Sequence, residues 1–259
     1  MDTVSMGFLA SLAAGLLTAV GALPVLFGHS ISRRRNDVLL GFAAGVMLSA
    51  SFFSLILPGI DFAQKQFGNA PIAAIVAVIG VGMGVAFVAV LNEWIPHEHF
   101  FQGRQGPMSE GLAKIWLFVL AITIHNLPEG LAVGVGFGTG DIAHGVTLAI
   151  GIGLQNAPEG LAVAVALLSC GYSKQYSVLV AALSGLVEPV MGLLGAYAVS
   201  QSLLLLPWAL TFAAGAMLYV ISHEIIPETH HHGYENEATF GLTIGLLVMM
   251  FLDVAFSGT

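Results

Sequence analysis

His125-Asn126-Leu127-Pro128-Glu129-Gly130-Leu131-Ala132-Val133 returns 30 residues later as Gln155-Asn156-Ala157-Pro158-Glu159-Gly160-Leu161-Ala162-Val163. Each copy sets amides, a proline and a carboxylate inside a long apolar run. Residues four apart share a helix face, so His125 lines up with Glu129 and Gln155 with Glu159, while Asn126 and Asn156 lie three residues before the glutamates. Each helix thus offers a nitrogen or amide ligand together with a carboxylate. Pro128 and Pro158 lack an N–H and crowd the preceding turn, which predicts that the carbonyls of Ile124 and Leu154 are freed and that both helices open locally.

The surrounding composition identifies the solvent. Of the 259 residues, 57% are apolar and 8% charged, with a mean hydropathy of +0.90, whereas soluble domains carry roughly 25% charged residues. A bilayer core needs about 20 apolar residues per helix. Eight spans meet that criterion, near 6–28, 37–60, 71–95, 113–137, 145–168, 176–200, 207–227 and 238–256. The predicted fold is an all-α polytopic membrane protein: one transmembrane domain over residues 1–259, an inverted-repeat helix bundle with proline-broken helices 4 and 5. Arg33, Arg34, Arg35, Arg104, Lys114 and Lys174 fall on one side of this arrangement and Lys65 alone on the other. The excess of basic residues in cytoplasmic loops then places both termini outside. The first apolar run has Asp2 where a signal peptide would be basic, and it is expected to stay as an uncleaved helix.

Seven Lys and Arg exclude nucleic acid as a partner, and the single Cys170 excludes a cysteine-rich metal site. The glycine clusters, such as Gly80, Gly82 and Gly84, or Gly134, Gly136 and Gly138, are expected to be helix-packing surfaces. Opposed consecutive helices carry the two motifs to one membrane depth, the pattern of a midplane ion site. A carboxylate there costs at least about 2.5–3.5 kcal/mol on insertion scales, and Glu188, followed by Pro189, adds a third. Three such groups call for a shared cation. Imidazole, carboxylate and amide ligands without thiolate suit Zn²⁺, Fe²⁺, Mn²⁺ or Cd²⁺.

The doubled motif, Glu188-Pro189 and His223-Glu224-Ile225-Ile226-Pro227-Glu228 together resemble the ZIP (Zrt/Irt-like, zinc–iron permease) metal transporters, over nearly the whole chain. The resemblance implies a binuclear site with Glu129 and Glu159 bridging two ions. Met47, His125 and Gln155 would complete one subsite, and Asn126, Asn156 and Glu188 the other. It also implies uptake into the cytoplasm by elevator-like sliding of the first, fourth, fifth and sixth spans against the rest. The membrane would be the bacterial cytoplasmic (inner) membrane. Close relatives can carry aspartate at the position of Asn156, which makes the second subsite the electrically weaker one.

On the inner side His97, His99, His223, Glu224 and Glu228, followed by His230, His231 and His232, are candidates for binding the departing ion. On the outer side Asp61 and Asp253 are candidates for the entrance, with Asp141 and His144 nearby. No nucleotide-binding or phosphorylation motif is visible, and no catalytic residue or catalytic cofactor is expected. The partners are the transported metal and lipid, with a homodimer allowed. The rivals are a metal-selective channel and an intramembrane zinc hydrolase; His223-Glu224 lacks the second histidine that a His-Glu-x-x-His hydrolase needs.

Overall fold

The computed structural model describes residues 1–27, 32–95, 97–99, 103–105, 114–169, 171–230 and 233–256. Eight long helices carry the architecture: α1 (Thr3–Phe27), α2 (Arg33–Phe67), α3 (Ala70–Trp94), α4 (Lys114–Gly138), α5 (Ile142–Ser169), α6 (Lys174–Gln201), α7 (Leu203–Thr229) and α8 (Glu235–Phe256). Each agrees with the expected span to within a few residues at its start, and α2 runs seven residues further at its end. Seven are long and apolar enough to cross a membrane, and α4, at 25 residues, is about 37 Å long at 1.5 Å per residue. The hydrocarbon core of a bilayer is about 30 Å thick.

The ends are set by short-range chemistry. Asp2 accepts from the Ser5 N–H at 2.7 Å to start α1, Asn69 accepts from Ile72 N–H to start α3, and Ser173 accepts from Tyr176 N–H to start α6. Gly68 stops α2 with φ 63°, a left-handed conformation that a side chain would oppose. Between α3 and α4, β1 (His97–His99) pairs antiparallel with β2 (Gly103–Gln105).

The helices pack as two groups. In one, α1, α4, α5 and α6 touch one another; in the other, α2 packs along α8 and α3 along α7, with α2 also on α7. The faces follow lipid logic. In α8, Ala238, Gly241, Gly245, Met249 and Asp253 are buried, while Phe240, Ile244, Leu247, Phe251 and Val254 are exposed for contact with acyl chains. Helix association in lipid depends on close backbone approach, which small residues allow. A Cβ on Gly130 would run into the backbone of Glu188, one on Gly160 into Thr18, one on Gly45 into Leu242 and one on Gly84 into Phe212. All four contacts lie within a group. Where the groups meet, Gly151 of α5 faces the side chains of Met249 and Val46.

The two motif helices differ from expectation. Both α4 and α5 run as unbroken α-helix through Pro128 and Pro158. The disturbances lie instead in α2, α6 and α7. Ala50–Ile56 and Ile221–Ile225 are wide π turns, and α6 is interrupted at Leu186. Each disturbance contains or adjoins the residue four before a proline: Ser54 before Pro58, His223 before Pro227, and Gly185 before Pro189. That is where a proline ring collides with a helix carbonyl. In α4 and α5 close backbone contacts at Gly130 and Gly160 lie two residues beyond the prolines.

Gly160→Ala is expected to destabilise the protein in detergent by about 1–3 kcal/mol, the usual range for overpacking. Gly82→Ala, which points into open space, should leave thermal melting unchanged or slightly raised. Equal melting of the two variants would contradict the packing described.

Candidate functional site

The motif faces of α4 and α5 turn inward together. Asn126, Glu129, Gln155 and Asn156 are at most 1% exposed, as are Glu188 on α6 and Met47 on α2, and Glu159 is also buried. Glu129 lies within electrostatic reach of both Glu159 and Glu188, so three carboxylates from three helices occupy one buried region. Asn156 ties the helices together: its Nδ2 donates to the Ala14 carbonyl of α1 at 2.9 Å and to Glu188 Oε1 at 2.8 Å. Gln155 Nε2 donates to Asn156 Oδ1 at 3.4 Å.

The remaining valences are open. Both oxygens of Glu129, one oxygen each of Glu159, Glu188 and Gln155, and the amide nitrogen of Asn126 are buried with no hydrogen-bond partner among the described residues. The Gln155 side chain is near enough to Glu129 to interact electrostatically, but no well-aligned hydrogen bond reaches the carboxylate. Leaving one buried polar group unsatisfied costs about 1–3 kcal/mol. Five such oxygens gathered in one place form a receptacle for positive charge.

His125 is engaged elsewhere. Its Nε2 meets Glu224 Oε2 of α7 in a contact that joins the two helix groups. Glu224 is held in turn by Asn92 of α3, whose Nδ2 donates to Glu224 Oε1 at 3.5 Å and to the Tyr219 hydroxyl at 3.2 Å. The Tyr219 and His223 rings lie 4.9 Å apart. A polar column therefore runs from the α4–α5 motifs into the wide turn of α7, and Glu224, expected at the exit, lies against the motif itself. Among the described residues no three His, Cys, Asp or Glu side chains are already arranged as a chelate.

The other expected residues are dispersed. Glu228 faces the fully buried Asp37 of α2 electrostatically. His230 closes the end of α7, its Nδ1 lying 2.8 Å from the Ile226 carbonyl. His97 and His99 lie on β1, of which the backbone alone is described, and His231 and His232 lie outside the described residues. On the other face, Asp61 is exposed and paired with Lys65 at 2.6 Å, away from the buried Asp253, which accepts from Ser54 Oγ at 2.5 Å. Asp141 accepts from the His144 N–H at 3.1 Å in the first turn of α5, a capping contact.

Comparison with known proteins adds a relationship to this geometry. A family model described as ZIP Zinc transporter matches residues 93–253, from the end of α3 through both motifs and Glu188 to α8. The chain belongs to this family. It is 46% identical over 249 residues to zinc transporter GufA of Myxococcus xanthus, covering 96% of this chain and 98% of that one. It is 49% identical over 238 residues to zinc transporter ZIPB of Bordetella bronchiseptica, covering 92% and 77%. Human zinc transporter ZIP11 is 36% identical over 319 residues, covering 92% and 93%. This ZIP protein is thus a multi-pass integral membrane protein.

Tyr219 of the polar column, and three groups beside Asn156, Glu228 and Asp253, were not singled out in the sequence. The Ala14 carbonyl carries no side-chain signal. Asp37 follows a basic cluster and reads as a solvated end. Ser54 became recognisable only beside Asp253.

With Cys170 replaced by serine, the double variant His125→Cys/Glu224→Cys is expected to bridge Hg²⁺. The two thiols should lose maleimide reactivity together, and each single variant should keep its own. Independent labelling in the double variant would contradict the contact.

Proposed function

We propose that this protein carries divalent transition-metal ions, zinc foremost, into the cytoplasm across the bacterial inner membrane. The carrying observation is the set of five buried oxygens from Glu129, Glu159, Glu188 and Gln155 without a hydrogen-bond partner among the described residues, with His125 one helical turn from Glu129. In this proposal Met47, His125, Glu129, Gln155 and Glu159 hold the ion, with Asn126, Asn156 and Glu188 on the neighbouring side. Borderline-soft Zn²⁺ accepts such a mixed nitrogen, oxygen and thioether set, and Cd²⁺ accepts the thioether more readily. The segregation of Lys and Arg to alternate loops supports a topology with both termini outside.

The motion follows from how the groups are built. Glycine-mediated backbone contacts join α1 to α5, α4 to α6, α2 to α8 and α3 to α7, and Gly15 meets Gly185 between α1 and α6, which supports movement of α1, α4, α5 and α6 as one body. Between the groups, side chains such as Met249 and Val46 form a surface that can slide. Glycine thus acts within each group as the helix-packing surface expected of it. The His125–Glu224 pair spans the groups and competes with an ion for the imidazole. An ion travelling inward would pass from His125 to Glu224 and on through Asn92, Tyr219 and His223 towards the cytoplasm.

Purified protein in liposomes is expected to take up Zn²⁺, and Glu129→Ala or His125→Ala should lower the rate at least about tenfold, the effect of losing 1.4 kcal/mol. Unchanged uptake in both variants would sink the site. Cleavage of lipid or peptide dependent on Glu224 would point instead to a hydrolase.

Glu224→Gln separates carrying from release. Removing the competing carboxylate should tighten Zn²⁺ binding in calorimetry while slowing transport. Parallel loss of both would show that Glu224 belongs to the resting ligand set.

A further inference from the structure

Asn156 occupies the junction of α1, α5 and α6 with no spare donor. The two groups facing its terminal nitrogen, the Ala14 carbonyl at 2.9 Å and Glu188 Oε1 at 2.8 Å, are both acceptors. Only the NH₂ end of the amide satisfies them, so chemistry fixes the side-chain orientation. An amide nitrogen has two hydrogens, and both are committed. It has no lone pair to give a metal. Its oxygen is the one atom left for coordination, and it already faces Gln155 Nε2 at 3.4 Å.

A second ion beside Glu188 would find Oε1 taken by this donor and Oε2 alone open, one oxygen where two ligand atoms would serve. Turning the amide to present its oxygen would set that oxygen against the Ala14 carbonyl in a fully buried place, with two acceptors facing each other and no proton between them. One N–H of the amide therefore occupies Glu188 Oε1, a place a cation would otherwise take, while the other N–H is held by the Ala14 carbonyl. An aspartate here would reverse the situation, because its oxygens would oppose both Ala14 O and Glu188 until a cation entered.

We propose that Asn156 stands in for a second cation, so that this chain holds and carries one ion at a time through the subsite of Met47, His125, Glu129, Gln155 and Glu159. Asn156 is then a positioning residue that sets metal stoichiometry, and Glu188 serves as the anchor of the amide and not as a ligand. This rests on the transport site proposed above and restricts the two-ion arrangement that the family resemblance implies.

The test counts Zn²⁺ bound at the midplane in purified full-length protein. Bound zinc is measured by plasma mass spectrometry after equilibration with Zn²⁺ alone, and the ions lost when Glu129→Ala is added to each background are taken as the midplane count. That difference cancels zinc held by the histidine-rich ends. The expected counts are one for the unmodified protein, one for Glu188→Gln, and two for Asn156→Asp, falling back to one in Asn156→Asp/Glu188→Gln. A count of two in the unmodified protein, with one ion lost in Glu188→Gln, would overturn the proposal, as would a count of one in well-folded Asn156→Asp. Should Asn156→Asp fail to accumulate, the comparison of unmodified protein with Glu188→Gln decides alone: equal counts of one support it. A count of zero in the unmodified protein would overturn the transport site itself, a separate result.

Discussion

A carboxylate surrounded by packed helices and hydrocarbon has to be neutralised by a proton, a cation or a dense set of donors. Three such groups, Glu129, Glu159 and Glu188, meet in the core of this bundle, and the protein's own donors satisfy only part of their demand. The rest of the architecture can be understood from that deficit. The site lies among the inner helices, Asn156 supplies one neutral donor to Glu188, and the oxygens left over define where a positive charge would rest. The same deficit makes a mobile cation an effective partner, because an ion that binds there restores what burial removed.

A buried site in a membrane must be reached from both sides without opening a continuous pore, and the packing supplies a way. Contacts made through missing side chains, as at Gly130 and Gly160, permit the closest helix approach and leave little freedom to slide. Contacts made through methionine and valine are adjustable. The close backbone contacts through glycine therefore lie inside each group, and at Gly151, on the surface between the groups, the neighbours are side chains. The wide turns of α2 and α7 lie in the group opposite the motifs. The turn in α7 holds Glu224, which reaches across to His125. A local excess of backbone on one body thus presents the competing ligand to the other.

Much of this was legible in the sequence, because hydrocarbon thickness fixes span length and because polar residues inside apolar runs stand out. The eight spans and the inward-facing motif residues followed from those two facts. What was not legible depended on neighbours. Pro128 and Pro158 look no different in sequence from Pro58, Pro189 and Pro227, yet the first two leave their helices continuous. The contact between His125 and Glu224 joins residues 99 positions apart whose helices no periodicity pairs. The role of Asn156 turns on a backbone carbonyl, which every residue possesses.

The central claim is that the uncompensated oxygens of the α4 and α5 motifs are where the transported ion rests. Anomalous scattering at the zinc edge from crystals equilibrated with Zn²⁺ tests it most directly. The expected result is a peak enclosed by Met47, His125, Glu129, Gln155 and Glu159, with the His125 imidazole released from Glu224. Zinc confined to the helix ends, with none within coordination distance of Glu129, would contradict it.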